Sequence, residues 1–262
     1  RPFFLQVNFT APHDPLLDPP GWEETYDPRQ MPLPGNFAGR HPFDHGNEEG
    51  RDEQLNSWPR RKKDIRRDLA TYYAVISHMD QQVGRILAAL EKNGQADSTV
   101  VIFTSDHGLA IGSHGLMGKQ NMYNHTIRVP FLIVGPGLTK DRRVTAFGYL
   151  RDIYPTVCEL AGIAIPETVE SKSLTPTLRD QHKITDKAAY GYFQDVQRML
   201  QSERWKLIFY TKTNRYQLFD LKTDPHELND LIKFKGHQAR FRIMRQSLIN
   251  WFDDQGDVAV RS

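Results

Sequence analysis

The chain has 262 residues, of which 39% are hydrophobic and 11% aromatic, enough for one large core or a domain with a small appendage. Its 34 basic and 32 acidic residues leave a formal net charge of +2, so no global field argues for a nucleic-acid partner. A single cysteine, Cys158, excludes an internal disulfide framework and a cysteine-built zinc cluster. No apolar run approaches the roughly 20 residues of a membrane span.

Phe3 to Phe9 is β-rich and reads as an interior strand. A start without methionine, inside such a strand, suggests a segment of a longer chain. The strand leads into Thr10-Ala11-Pro12-His13-Asp14-Pro15, a proline-bounded loop. Residues 16–58 are rich in Pro, Gly, Asp and Glu without a sustained period, and excursions of this length are usually functional or mobile. From Asp68 to Asn93 the pattern turns helical. Leu69, Tyr72, Ile76, Met79, Val83, Ile86, Leu87 and Leu90 share one face, and Asn93-Gly94 forms the stop.

Ser98 to Thr104 is an apolar run suited to a strand buried on both faces, and Val129 to Val134 is a second. A helix is expected over about Asp152 to Ala161. Strand and helix in alternation predict an α/β fold with a mixed or mostly parallel sheet flanked by helices. After about residue 185 the texture changes. Gln197 to Gln201, Trp205 to Tyr210 and Tyr216 to Asp220 suggest an antiparallel meander, closed by a helix over 237–252. The expected organisation is an α/β portion over 1–185 and a small antiparallel α+β subdomain over 186–262.

The chemistry-bearing stretch is Thr104-Ser105-Asp106-His107-Gly108, a strand end followed by a glycine-rich loop and Lys119. Ligands bind at the carboxyl ends of strands in open α/β sheets. Aspartate offers a hard oxygen to a divalent cation and imidazole a borderline nitrogen; the competing reading is a capping Asp beside a surface His. His13, held between Pro12 and Pro15, and Lys119 are each bland alone. His114, in Gly112-Ser113-His114-Gly115, is a candidate for lining a substrate pocket. Arg60, Arg61, Lys62, Lys63, Arg66 and Arg67 form a basic run, read as a solvated helix entry in preference to a polyanion patch.

Together these segments resemble the formylglycine-dependent sulfatases of the alkaline phosphatase superfamily, and in particular their C-terminal portion. The likeness rests on Phe3-Phe4-Leu5 through Pro12-His13-x-Pro15 and on Thr104 to Gly108. It continues in Lys119-x-x-x-Tyr123, Arg128-Val129-Pro130 through Gly135-Pro136-Gly137, and Asp152-Ile153-Tyr154-Pro155-Thr156. Trp205 to Ile208, Leu218 to Leu221 and Asp224-Pro225-x-Glu227 complete it.

The resemblance implies an alkaline-phosphatase-like sheet and sulfuric ester hydrolysis. It makes Asp106 and His107 metal ligands, and it places His13 and Lys119 on the sulfate or the leaving-group oxygen. The implied cation is Ca²⁺, with Mn²⁺ or Zn²⁺ as alternatives because His107 stands where many sulfatases have Asn. The implied partners are a sulfate ester, including a sulfated carbohydrate, and the missing N-terminal portion of the same enzyme; the setting it favours is periplasmic or secreted.

The family's nucleophile, a formylglycine made within Cys/Ser-x-Pro-x-Arg, is expected upstream of this chain. The chain alone is therefore expected to be inactive, or nearly so. Cys158 lies mid-helix without that motif and reads as a core residue. Ser57-Trp58-Pro59-Arg60-Arg61 matches the motif formally but lies downstream of His13. Two alternatives stand beside the sulfatase reading: a phosphonate monoester or phosphodiester hydrolase, and a non-catalytic sulfated-glycan binding module.

Overall fold

The computed structural model describes residues 2–179 and 186–260. The chain forms two units. One comprises Arg1–Phe43, Glu49–Thr99 and Leu109–Lys119, and the other Asp44–Glu48, Val100–Gly108 and Gln120–Ser262.

The first unit is organised by one long helix, α1 (Lys62–Lys92). Asp64 sits in its first turn, where a carboxylate complements the helix dipole, and accepts from Arg61 Nε at 2.6 Å. The helix ends at Asn93 and Gly94, the latter at φ +66°. It starts six residues before the expected position, and within the basic run Arg61, Lys62, Lys63 and Arg67 are exposed as expected. Arg66 Nε donates to the Met31 carbonyl at 3.1 Å, and Arg60 is only 3% exposed. At Arg60 the solvated-entry reading is therefore corrected. The buried face carries Ile65, Leu69 and Ala70, packed with Met31, Ile111 and Met117.

Residues 3–9 form no strand, contrary to expectation. Phe4 is 75% and Leu5 65% exposed. A strand exists only where a neighbour takes its N–H and C=O groups, and among the described residues none pairs with this segment.

In the second unit, β1 (Val101–Thr104) pairs antiparallel with β2 (Phe131–Val134), Val101 opposite Val134. Neither strand is buried on both faces: Phe103, Leu132 and Val134 are exposed. Among the described residues the sheet has these two strands, and a two-stranded ribbon has little apolar surface to bury by itself. Asn124–Ile127 forms a single turn, α2. The expected helix appears as α3 (Ile153–Leu160), with Cys158 buried as a free thiol. A short α4 (Thr175–Arg179) follows.

The C-terminal part is an antiparallel meander of four strands, β3 (Ala188–Phe193), β4 (Gln197–Ser202), β5 (Trp205–Tyr210) and β6 (Arg215–Asp220), in sequential order. The first of these was not anticipated, because its Ala and Gly residues carry little strand signal. The closing helix, α5 (Gln238–Asp254), lays Met244, Leu248 and Phe252 on Leu200, Leu207, Phe209 and Leu218. A subdomain beginning at 186 remains our proposal; its boundary abuts residues 180–185, which lie outside the described residues.

The meander also carries a pH-dependent contact. Arg204 grips Asp220 through Nε at 2.9 Å and Nη2 at 2.7 Å. These bonds hold the Asp220 carboxyl below its ordinary 3.8. The folded value is the lower one, so the contribution is complete above 3.8 and disappears as pH falls through the depressed value. Urea titrations of Arg204→Met should therefore show a stability gap from the parent at pH 6 that narrows below pH 4.

Candidate functional site

His13 and Lys119 belong to the first unit, Asp106 and His107 to the second. Although 106 positions apart in sequence, Lys119 Nζ and His13 Nε2 lie 2.7 Å from each other. The His13 Nδ1 faces the Asp14 carbonyl at 2.8 Å. A carbonyl only accepts, so Nδ1 carries the ring proton and Nε2 accepts from the lysine ammonium. His13 is thus a neutral imidazole in this arrangement, and Lys119 holds the shared proton.

A ring of charges closes around the pair. Lys119 Nζ is 3.8 Å from Asp52 Oδ2. Asp52 accepts from Arg51 Nε at 2.6 Å, and Arg51 Nη2 reaches Asp14 Oδ2 at 3.0 Å. Asp14 Oδ1 returns to His13 Nδ1 at 3.4 Å. Two cations and two carboxylates alternate about one imidazole. The Asp52 side chain is fully buried while His13 is 36% exposed, so the carboxylate anchors the ring and the imidazole faces solvent. Asp14, Arg51 and Asp52 were not singled out from the sequence. They stand in polar loop texture, where nothing distinguishes an anchoring carboxylate from a solvated one.

His114 is pinned elsewhere in the same unit. Its backbone N–H donates to the Asn36 carbonyl at 2.8 Å, and its Nε2 meets Asn36 Nδ2 at 3.0 Å. The glycine beside it is obligatory: a Cβ on Gly115, at φ +76°, would lie 2.4 Å from the Arg40 carbonyl carbon. The geometry gives His114 a role in clamping two loops together.

In the second unit, the backbone N–H of His107 donates to Asp106 Oδ1 at 2.9 Å, and His107 Nδ1 lies 3.1 Å from the Gly108 carbonyl. Donation to that carbonyl fixes the tautomer and leaves the Nε2 lone pair free to ligate. Nε2 lies 3.3 Å from Asp106 Oδ2, so two lone-pair donors converge. A hard oxygen and an imidazole nitrogen suit a divalent cation in kind. In number they are part of a coordination shell: among the described residues no group of three or more His, Cys, Asp or Glu could hold a metal.

The pair is fixed to its surroundings by Gly108, whose N–H donates to the Thr126 carbonyl at 2.8 Å. A Cβ there would sit 1.9 Å from the His125 carbonyl oxygen. Gly108→Ala must therefore push the loop off α2, and urea unfolding should register a loss of about 1–3 kcal/mol.

Ser57 is exposed, and Cys158 is buried in α3. A cleft of about 150 Å³ in the second unit is lined by Glu170, Lys172 and Tyr190 beside Arg151 and Trp251.

Comparison with known proteins places these features in one context. A family model described as sulfatase matches residues 1–163, and one described as N-sulphoglucosamine sulphohydrolase, C-terminal, matches residues 112–253. An arylsulfatase of Clostridium perfringens is 33% identical over 260 residues, covering 95% of this chain and 53% of the relative. A structure solved in complex with its substrate, D-glucosamine-2-N,6-O-disulfate, is 25% identical with a TM-score of 0.68, covering 75% of this chain and 42% of that one. A phosphonate monoester hydrolase of Silicibacter pomeroyi superposes with a TM-score of 0.82 at 23% identity, covering 95% of this chain and 55% of that one; this likeness speaks for the fold alone. The chain spans about half the length of the curated relatives it matches.

Proposed function

The chain belongs to the sulfatase family, and from that premise we propose that it is the C-terminal portion of a sulfuric ester hydrolase in which Lys119, oriented by His13, meets the leaving-group oxygen of the ester. The observation that carries this reading is the 2.7 Å contact between Lys119 Nζ and His13 Nε2. Breaking the S–O bond of a sulfate ester leaves negative charge on the bridging oxygen, and a preorganised N–H donor at that oxygen stabilises the transition state. Lys119 holds the proton, so Lys119 presents N–H to the departing oxygen. Neutral His13 orients the ammonium through its Nε2 lone pair. His13 becomes a general acid for the alcohol only when doubly protonated.

Sulfatases as a family use a divalent metal and a formylglycine nucleophile. Asp106 and His107 are the residues of this chain that would hold the cation, Ca²⁺ in the first instance; Mn²⁺ and Zn²⁺ are admitted by the imidazole. When bound, such a cation supplies a fixed positive centre for the sulfuryl group. The formylglycine and the remaining ligands belong, on this reading, to a segment upstream of Arg1.

The substrate class we propose is a sulfated carbohydrate, supported by the disulfated glucosamine of the solved relative and by the second family model. The test compares kcat/KM of the full-length protein for an aryl sulfate and an aryl phosphonate with the same leaving group, then for glucosamine sulfates. Preference for sulfate is expected. Preference for the phosphonate would replace this reading with the phosphonate hydrolase one, and absence of all turnover would favour a glycan-binding module.

A further inference from the structure

We propose that Glu53, neutralised by Arg60, is the positioning residue that sets Lys119, an inference that rests on the proposed role of Lys119 at the leaving oxygen. Glu53 lies in the 3-10 turn Arg51–Leu55 of the long excursion and is 2% exposed. Its carboxylate points at the loop that ends in Lys119. Oε2 accepts the Met117 N–H at 3.0 Å and Oε1 the Gly118 N–H at 2.9 Å. These are the N–H groups of the two residues immediately before the lysine, so the carboxylate fixes the direction in which the chain enters it.

A buried carboxylate needs a partner, and Arg60 Nη2 supplies one at 2.6 Å. The arginine is itself held on three sides. Its guanidinium stacks 3.6 Å from the Trp58 ring centre, Nε donates to the Gly115 carbonyl at 3.3 Å, and Nη1 donates to the Asn56 carbonyl. Burial pulls the Arg60 guanidinium below its ordinary value, and Glu53 opposes that shift.

The neighbouring Asp52 faces the Lys119 ammonium from the same turn. One short turn therefore controls both ends of the lysine, its backbone approach through Glu53 and its side-chain charge through Asp52. On this proposal residues 51–53 of the excursion hold a reacting group.

Two measurements test this. Amide exchange in the chain itself reads the hydrogen bonds without reference to activity. In Glu53→Gln one carboxylate oxygen becomes an amide N–H₂ facing a backbone N–H, and protection of Met117 and Gly118 should fall. Unchanged protection overturns the proposal, whatever the protein catalyses. The second measurement is a double-mutant cycle on sulfate ester turnover by the full-length protein. Glu53→Gln and Glu53→Asp should each lower kcat about 10–100-fold with KM little moved, the usual size of such a supporting contact. On the Lys119→Ala background the same changes should alter kcat less than about 2-fold, because their effect runs through the missing amine. Equal losses on both backgrounds would make Glu53 a merely structural residue. If the parent turns over no sulfate ester while amide protection falls as expected, the functional reading fails and the positioning of Lys119 by Glu53 stands.

Discussion

Lys119→Ala in the full-length protein is expected to lower kcat/KM for an aryl sulfate by about 10²–10³-fold, the range found when one preorganised donor is removed from a developing oxyanion. The fall should lie in kcat with KM little changed, since the ammonium acts on charge absent from the bound ester. His13→Ala should lose less, about 10-fold on the scale of a supporting contact, because it leaves the donor in place and removes only its orienting acceptor. The double variant should be scarcely worse than Lys119→Ala alone, since the two residues share one contact. Steady-state kinetics on the three variants decide it. A His13→Ala loss that multiplies fully with that of Lys119→Ala would mean that the two act independently.

Glu227→Ala is expected to destabilise the second unit by about 3–5 kcal/mol, the scale for breaking one side of a buried ion pair. Lys206 is the second residue of β5 with its side chain fully buried, and its ammonium donates to Glu227 Oε1 at 2.5 Å, Asn124 Oδ1 at 2.7 Å and the Met122 carbonyl at 3.0 Å. Burial pulls the Lys206 amine below its ordinary range, and Glu227 pulls back. Glu227 also accepts the Asn124 N–H at 2.8 Å. Removing it leaves a buried ammonium without its counter-charge and the Asn124 amide without its acceptor. The unit should then unfold at lower urea concentration. Lys206→Met with Glu227→Leu should recover much of the loss, since an apolar pair of similar volume avoids the stranded charge. The effect reaches the candidate metal ligands as well. Asn124 opens α2, and Gly108, next to His107, is hydrogen-bonded to that turn.

Part of this architecture was readable in the sequence. The three-and-four spacing from Leu69 to Leu90 yields a helix, and the short runs after residue 195 yield the meander with its closing helix. The pattern of Phe3 to Phe9 is equally strand-like, yet no strand forms there, because pairing depends on a neighbour that periodicity does not reveal. Lys206 illustrates the opposite limit. One lysine in Trp205-Lys206-Leu207-Ile208 reads as a solvated position on an alternating strand, but β5 is buried on both faces and the lysine has its own buried acceptors. His13 and Lys119 were named through family likeness; their spacing of 106 positions carries no local signal. The ring that holds them was invisible for another reason. Asp14, Arg51, Asp52 and Glu53 are common loop residues, and only folding separates a carboxylate that meets two backbone N–H groups from one that meets water.

The central claim is that Lys119 acts on the oxygen that leaves, and the leaving group itself provides the most direct probe. The measurement is kcat/KM of the full-length protein and its Lys119→Ala variant across a series of aryl sulfates of increasing phenol pKa. Loss of the donor should hurt poor leaving groups most, so the variant's dependence on phenol pKa should be the steeper of the two. Parallel dependences, with every ester slowed by the same factor, would contradict the assignment of Lys119 to the departing oxygen.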